Sequence, residues 1–310
     1  MLKYHADLKP QGKDNSPHKG DHKNLYTIRY FLRGLAVALL ASGMSYSQAA
    51  TPTKQSTSVK PVTEVITNVQ RDWLSDDGQF LLTLYTGVWN PHGTLFYLKE
   101  RGGVSLEGFQ KGLDITLKSF DPEVGLQAPP EYAIAGTLNL RNNTLIGTVT
   151  HYPESQATVR KTKFTPAIPI KGAYPQFVFK YYGFEDPDWH RWTITRVDVI
   201  NKDTKALVQS LTGFEAGSYS TNYADMNYDG YLDLVLDVGK DLHHEDYVYW
   251  LYEPKSKKFV RNKTLEAIPG YPSRYPHKRQ LHLNKDALLE RVNGQWKTMP
   301  CCYADLTSCV

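Results

Sequence analysis

The sequence has little cysteine, no long apolar run and no charge imbalance outside its first residues. Its three cysteines, Cys301, Cys302 and Cys309, all lie among the last ten residues. No C-x-x-C pair occurs and no histidine lies near them, which argues against zinc and against thiol chemistry. In an oxidising compartment Cys309 can pair with Cys301 or with Cys302. We predict a Cys302–Cys309 disulfide, and a Cys301–Cys309 disulfide is the open alternative.

The charge pattern excludes a general affinity for nucleic acid. Residues 1–49 hold seven Lys/Arg and three Asp/Glu, whereas the remaining residues hold 29 of each. The folded part is therefore neutral overall and offers no basic surface by composition. The chain also lacks G-x-S-x-G, H-E-x-x-H and P-loop patterns, so no known catalytic motif marks it as an enzyme.

Residues 1–49 have the plan of a leader with a secretory signal peptide. Arg29 and Arg33 precede the apolar run 34–41, and Ser47-Gln48-Ala49 places small residues at a cleavage site. The run is too short to cross a bilayer, which takes about 20 apolar residues. We expect a periplasmic or secreted protein with no stable membrane insertion after cleavage; a retained N-terminal anchor is the alternative.

The remaining chain is predicted to be mainly β. Residues 50–77 are expected to be a flexible lead-in, although Val62–Trp73 could also be a short helix or an extended segment. Residues 78–170 alternate apolar and polar positions in short runs, with a hairpin around Arg141-Asn-Asn143, and predict a small antiparallel barrel or sandwich. Residues 173–310 predict a second β-domain, with Thr165–Gly172 as the linker. The prolines between Pro269 and Pro276 argue against a ladder strand there.

The densest polar pattern is the stretch Asp225-x-Asn227-x-Asp229-Gly230-Tyr231-x-Asp233. Calcium prefers six to eight hard oxygen ligands, and this spacing supplies them from Asp225, Asn227, Asp229, the Tyr231 carbonyl and Asp233. The loop is not an EF-hand, because Leu236 stands where that motif has a bidentate glutamate and β-forming residues follow. We predict a structural Ca²⁺ site; the alternative is an acidic turn between two strands.

Two further polar segments each have a functional interpretation and a simpler structural one. His243-His244-Glu245-Asp246 is either a solvated loop or a partner-binding loop, since adjacent histidines on extended chain face opposite ways and chelate one metal poorly. The segment from Glu185 to Trp192 carries acids, a histidine and tryptophans, which a glycosidase could use. A turn before a strand explains that segment equally well.

An ordered set of segments resembles a known family. It consists of Val197-Asp-Val-Ile-Asn201, Leu207-Val-Gln-Ser-Leu211, the Asp225–Asp233 loop, Tyr249-x-Leu-Tyr252 and Phe259. The set is similar to secreted and periplasmic bacterial proteins related to immunity proteins against the peptidoglycan-hydrolase effectors of bacterium-killing type IV secretion systems. Their calcium-containing domain looks like that of periplasmic i-type lysozyme inhibitors. The resemblance covers about residues 173–270.

The resemblance implies a β-sandwich-like calcium domain that occludes a muramidase cleft with an exposed loop. In this chain that loop would follow Val238, and Gly239 and Tyr247 match the family's loop. His243, His244 and Glu245 lie in the same polar loop between two predicted strands, and we predict them as partner contacts too. The serine that the family tends to carry there is absent, as is a lipid-attachment cysteine. The expected function is a non-enzymatic inhibitor of a peptidoglycan hydrolase or lysozyme-like protein. The alternatives are a glycan-binding protein or hydrolase with structural calcium, and an envelope interaction module without inhibitory role.

Overall fold

The computed structural model describes residues 58–99, 102–121, 129–153, 156–186, 191–217, 220–239, 246–283 and 287–300. All of them belong to one compact unit that covers residues 55–310. These residues are mainly β, and their helix is a single short one. The leader at 1–49 and the three cysteines lie outside the described residues, so those predictions stay predictions.

An eight-stranded antiparallel barrel forms the first part of the structure, after the short strand β1 (Lys60–Val62). The barrel closes because its first and last strands pair, with Trp73 opposite Pro166 and Ser75 opposite Phe164. Of the predicted barrel or sandwich, the barrel is what forms. Its strands are β2 (Ile66–Ser75), β3 (Phe80–Thr86), β4 (His92–Tyr97), β5 (Gly102–Lys111), β6 (Asp114–Phe120), β7 (Tyr132–Asn139), β8 (Thr144–His151) and β9 (Thr158–Pro166).

Alternating side chains fill the barrel with a packed apolar core. In β6, for example, Ile115, Leu117 and Ser119 are buried while the residues between them face outwards, as the two-residue period of a strand requires. The predicted hairpin around Arg141–Asn143 is confirmed, since β7 and β8 pair directly across it. The core is closed by large side chains such as Trp73, Leu95, Leu106 and Phe164.

Part of the predicted flexible lead-in is a strand that two sheets share. On one edge β2 runs parallel to β13 (Ser220–Ala224) over residues 66–69 and antiparallel to β9 over residues 73–75. The remaining four-stranded sheet continues from β13 through β14 (Asp233–Asp237), β15 (Tyr247–Glu253) and β16 (Lys258–Arg261). The strand β2 does not show the usual alternation of buried apolar and exposed polar residues, because several of its polar residues are buried at this junction.

A second four-stranded sheet covers one face of β13–β16. It consists of β1, β10 (Phe177–Asp186), β11 (Arg191–Asn201) and β12 (Leu207–Gly217). Leu234 and Leu236 of β14 share an apolar core with Val197, Val199 and Leu211. The predicted division into 78–170 and 173–310 stays a prediction; the two segments are joined by strand pairing through β2.

The opposite face of β14 is covered by the C-terminal strands. Val235 and Tyr249 pack with Leu281 and Leu289, so β14 is buried on both faces and its sequence reads as a continuous apolar run. The expectation that 269–276 contains no ladder strand was wrong: the prolines flank three residues that pair at a sheet edge, where a missing N–H costs little. The elements are α1 (Lys263–Glu266), β17 (Ser273–Tyr275), β18 (Gln280–His282), β19 (Ala287–Val292) and β20 (Gln295–Pro300).

Candidate functional site

The aspartate-rich loop lies where the barrel and the other sheets meet. It connects β13 to β14, beside the stretch of β2 that lies between its two pairing partners. On that stretch the carbonyl of Asp72 accepts a hydrogen bond from the N–H of Ala167 at 2.9 Å. A small cavity of about 20 Å³, lined by Asp72, Asn143, Asp225 and Gly230 among others, lies at the same place. The loop is therefore a junction element and not a peripheral turn.

Backbone N–H groups hold the loop's side-chain oxygens in place. The two oxygens of Asp225 accept hydrogen bonds from Asp229 N at 3.2 Å and Gly230 N at 2.8 Å. Asn227 Oδ1 accepts from Asp229 N at 3.1 Å, and Asp229 Oδ1 accepts from Tyr231 N at 2.9 Å. The three side chains at the first, third and fifth positions of the motif are thus all turned into the loop.

Gly230 is required by its backbone conformation and by a close neighbour. Its φ is +91°, a region that side chains with a Cβ rarely adopt. A Cβ at this position would lie 2.6 Å from Ile170 Cγ2 and 2.7 Å from the Ile168 carbonyl oxygen. The sharp turn was predicted from sequence; the contact with the predicted linker, residues 165–172, was not.

Asp233 ties the loop to two strands. It is fully buried, and its oxygens accept hydrogen bonds from Met226 N and Tyr252 N, both at 2.8 Å. Met226 lies inside the loop and Tyr252 lies on β15. Each carboxylate oxygen has a second lone pair, so these bonds leave acceptor capacity for an ion.

The loop's carboxyl groups lie in an environment that disfavours their charged forms. Burial raises the pKa of Asp225 to about 7, with a further contribution from the Asp229 charge and an opposing one from Arg274. Burial, followed by the charges of Asp225 and Asp229, raises the pKa of Asp233 well above its usual range. Loss of hydration also raises the pKa of Asp229, although part of that side chain reaches the surface. A bound cation would reverse this preference for the neutral forms.

Arg274, on strand β17, binds both the loop and strand β2. Its guanidinium donates to the Asp225 carbonyl through Nε at 3.1 Å and to Asp72 Oδ2 through Nη2 at 2.7 Å. The side chains of Arg274 and Asp72 are 1% and 9% exposed, so this is a buried ion pair. Neither residue is predicted from sequence, because Asp72 and Arg274 lie 202 positions apart and neither belongs to a motif.

The donor chemistry of the loop fits calcium. Its predicted ligands offer hard oxygens. Besides burial, the Asp229 charge raises the pKa of Asp225, and the charges of both residues raise the pKa of Asp233. Within the described residues, no three His, Cys, Asp or Glu side chains are grouped as a metal site. The predicted set, however, also uses the Asn227 amide oxygen and the Tyr231 carbonyl. The ligand assignment therefore stays a prediction.

The predicted partner loop lies at the far end of β14 from the metal motif. Its base is closed by a hydrogen bond from Val238 N to the Asp246 carbonyl at 2.8 Å and by one from Gly239 N to Asp237 Oδ1 at 2.9 Å. The ring of Tyr247 packs against Tyr271, with centroids 5.4 Å apart, and so lies at the base of the loop. His243, His244 and Glu245 fall outside the described residues.

A groove on the outer surface of the barrel is a second candidate site. We define the aromatic groove by Trp89, Phe109 and Tyr152, whose side chains line a cavity of about 680 Å³ together with polar residues such as His92 and Glu107. Trp89 is 73% exposed and Phe109 67% exposed. Gln110 N donates to the Trp89 carbonyl at 3.2 Å, which holds the tryptophan segment beside β5. No sequence pattern predicted this groove, because Phe109 lies in a strand while Trp89 and Tyr152 lie in two separate connections.

No family model, curated protein or solved structure matches this chain. Within the described residues, no helix has the length and apolar character needed to cross a bilayer.

Proposed function

We propose that this chain is a periplasmic or secreted, non-enzymatic binding protein that inhibits a peptidoglycan hydrolase or lysozyme-like enzyme by occluding its cleft. The observation that supports this proposal is the arrangement of β14. One end of the strand begins in the aspartate-rich loop Asp225–Asp233, which we call the calcium-type loop. The other end leads into the loop between Asp237 and Tyr247. A rigid strand buried on both faces thus connects the two predicted sites.

Calcium is proposed to act as a structural clamp in a β-sandwich-like module. The module would consist of β1 and β10–β12 packed on β13–β16. Asp225, Asn227, Asp229, the Tyr231 carbonyl and Asp233 would hold the ion, which supplies positive charge and no chemistry of its own. Asp233 already links the loop to β15 through Tyr252 N, so fixing the loop fixes the hairpin that carries the partner loop. A pre-organised loop loses less entropy on binding.

The test is inhibition of a cell-wall hydrolase together with its loss in a loop variant. We expect the protein to form a stoichiometric complex with its target and to abolish lysis of purified cell walls. Replacing residues 240–245 by a Gly/Ser segment of equal length should remove inhibition without changing the melting temperature. A matched control replaces Lys255 and Ser256, in the exposed β15–β16 turn, by Gly and Ser. Full inhibition by the 240–245 variant would show that this loop is not the inhibitory element.

A second candidate function, glycan binding, is favoured by the aromatic groove. Exposed aromatic side chains beside polar groups supply stacking faces and hydrogen bonds, the combination that sugar rings use. Titration of soluble peptidoglycan oligosaccharides should then be weakened at least tenfold in Trp89→Ala. Val159→Ala, which is also strongly exposed but lies outside the groove, is the control. Binding that survives Trp89→Ala, with hydrolase inhibition intact, would leave the inhibitor proposal standing and remove this one.

A further inference from the structure

A cleft lies at one end of the barrel, beside the Asp225–Asp233 loop, whose Leu232 contributes to the lining. It has a volume of about 520 Å³ and lies between the ends of β3 and β7, the β5–β6 turn and the start of β10. Apolar side chains, among them Val69, Leu113, Leu138, Phe177 and Phe179, form much of its wall. We call it the Arg71 cleft, after the one charged side chain buried in it.

Arg71 lies two residues before Trp73 on β2, and strand alternation therefore turns it to the same inward side. It is 8% exposed. Its Nη1 donates to Asn143 Oδ1 at 2.6 Å and its Nε donates to Thr86 Oγ1 at 3.2 Å. Among the described residues, Nη2 has no hydrogen-bond acceptor and the guanidinium has no carboxylate partner.

This arginine is unusual because it keeps its charge without compensation. Burial lowers the pKa of the Arg71 guanidinium to about 10, so the group is still charged at neutral pH. Buried charges in proteins are ordinarily paired, since removing a lone ion from water costs several kcal/mol. By contrast, Arg274 on the other side of the same strand has Asp72 as its partner.

Tyr223 supplies a second polar group with nothing to bind. It lines the same cleft and is 8% exposed, and its hydroxyl makes no hydrogen bond to any described residue. A tyrosine hydroxyl is a neutral hydrogen-bond donor at physiological pH. Two donors, one of them charged, thus face one cavity without an acceptor.

The other lining residues support an anion as the missing acceptor. Lys202 stands exposed at the rim, and no Asp or Glu is found among the described residues that line the cleft. The single buried positive charge of Arg71 matches a ligand that carries one negative charge. The apolar walls require that the rest of the ligand be hydrophobic.

We propose that the Arg71 cleft binds an organic monocarboxylate, with the carboxylate held by Arg71 Nη2 and the Tyr223 hydroxyl and an aryl or alkyl body packed against the apolar walls. The proposed carboxylate ligands, Arg71 and Tyr223, belong neither to the partner loop nor to the predicted calcium ligands. Planar carboxylates match the guanidinium fork, and such charge-assisted hydrogen bonds are about twice as strong as neutral ones.

The experiment is calorimetric titration of the full chain with 4-phenylbutyrate and with octanoate. The neutral 4-phenylbutanamide and inorganic phosphate serve as comparison ligands. We expect both carboxylates to bind with 1:1 stoichiometry, and the amide and phosphate to bind at least about tenfold more weakly. Tyr223→Phe removes a hydroxyl that makes no internal hydrogen bond, so it should leave the fold unchanged and weaken binding by roughly three- to tenfold.

Two more variants test whether the Arg71 guanidinium is the charge that binds the carboxylate. Arg71→Met should abolish detectable binding, and circular dichroism will show whether it folds. Lys161→Met, which removes an exposed lysine of β9 outside the cleft, should bind as the wild type does. Absence of carboxylate binding at millimolar concentration, equal binding of the amide, equal binding of free phosphate, or unchanged affinity in Tyr223→Phe would each overturn the proposal.

Discussion

At the scale of single residues, the calcium-type loop depends on groups whose side chains cannot be exchanged without a measurable cost. Asp225, Asn227 and Asp229 turn their oxygens inwards under backbone N–H groups, and Gly230 occupies a conformation and a space that exclude a Cβ. The sharp turn at Gly230 was predicted from spacing and is present, because a turn depends on local residues. The ligand roles of Asp225, Asn227 and Asp229 stay predictions.

Asp229→Ala tests the ion. Removing this carboxylate takes away one hard ligand while leaving the buried Asp225 and Asp233 in place, so calcium binding should be lost. At a calcium concentration 100 times Kd, binding stabilises by about 2.7 kcal/mol, which is roughly 5–10 °C in a chain of this size. Calorimetry with calcium and with a chelator should show that shift in the wild type and none in the variant.

The control is Asp76→Ala, which removes an equally charged and exposed side chain in the β2–β3 turn. Its melting temperature should respond to calcium as the wild type's does. A wild-type melting curve that is identical with calcium and with chelator would rule out a structural calcium site.

Gly230→Ala tests the contact between the loop and residues 168–170. The added Cβ forces a movement of the Ile168 backbone as well as a strained φ. Gly294→Ala provides a matched control, since Gly294 also has a positive φ, +77°, but nothing within 4 Å of its would-be Cβ. Overpacking should make Gly230→Ala about 1–3 kcal/mol more destabilising than the control in urea unfolding. Equal effects in the two variants would mean that the contact with the 168–170 segment costs nothing.

At the scale of elements, β2 is the strand on which the molecule depends, and it was the least predictable from sequence. Its outer edge is divided between β13 and β9, and its buried polar residues bind partners far away in the chain. Asp72 pairs with Arg274 of β17, whereas Arg71 faces the opposite side and binds Asn143. A pattern of polar residues normally indicates exposure, so only the tertiary structure explains why they occur in a strand.

The strands that were predicted well are those that alternate and have one buried face. β6, β7 and β8 follow this rule, and the hairpin between β7 and β8 has local turn residues. The strand β5 is hard to recognise from sequence, because it contains Gly102, Gly103 and Gly108. Gly108 instead permits a close approach of strands, since a Cβ there would lie 1.8 Å from the Thr116 carbonyl oxygen. Sequence periodicity carries no information on such long-range contacts.

Arg274→Met tests whether β17 holds the loop and the barrel together. The change leaves the buried Asp72 carboxylate without its counter-ion and removes the hydrogen bonds that Arg274 Nε and Nη2 both donate to the Asp225 carbonyl. Breaking a buried pair in this way costs about 3–5 kcal/mol, which urea unfolding measures directly. The double variant Asp72→Asn/Arg274→Met, which removes both charges, should recover part of the loss. If the double variant is no more stable than Arg274→Met, the ion pair is not the reason for the single variant's instability.

At the scale of the whole molecule, the junction around Asp225 connects the barrel with the β13–β16 sheet and the β17–β20 sheet. The loop touches residues 168–170, its carbonyl accepts from Arg274, and its flanking strand β13 pairs with β2. We therefore expect the segments 78–170 and 173–310 to unfold together, even though their sequences suggest separate β-domains.

Hydrogen exchange followed by mass spectrometry along a urea series can show whether residues 78–170 and 173–310 unfold together or separately. Peptides from β6–β8 report on the barrel, and peptides from β11 and β14 report on the sheets beyond it. A shared junction predicts that both sets become labelled at the same urea midpoint, because neither part keeps its core once β2 leaves. If calcium binds at the junction, it should move both midpoints upwards by the same amount, since a ligand of the native state stabilises the whole cooperative unit. Two separate midpoints, with calcium moving only that of β11 and β14, would instead mean that 173–310 folds as an independent calcium domain and that the pairing of β2 with β13 adds little stability.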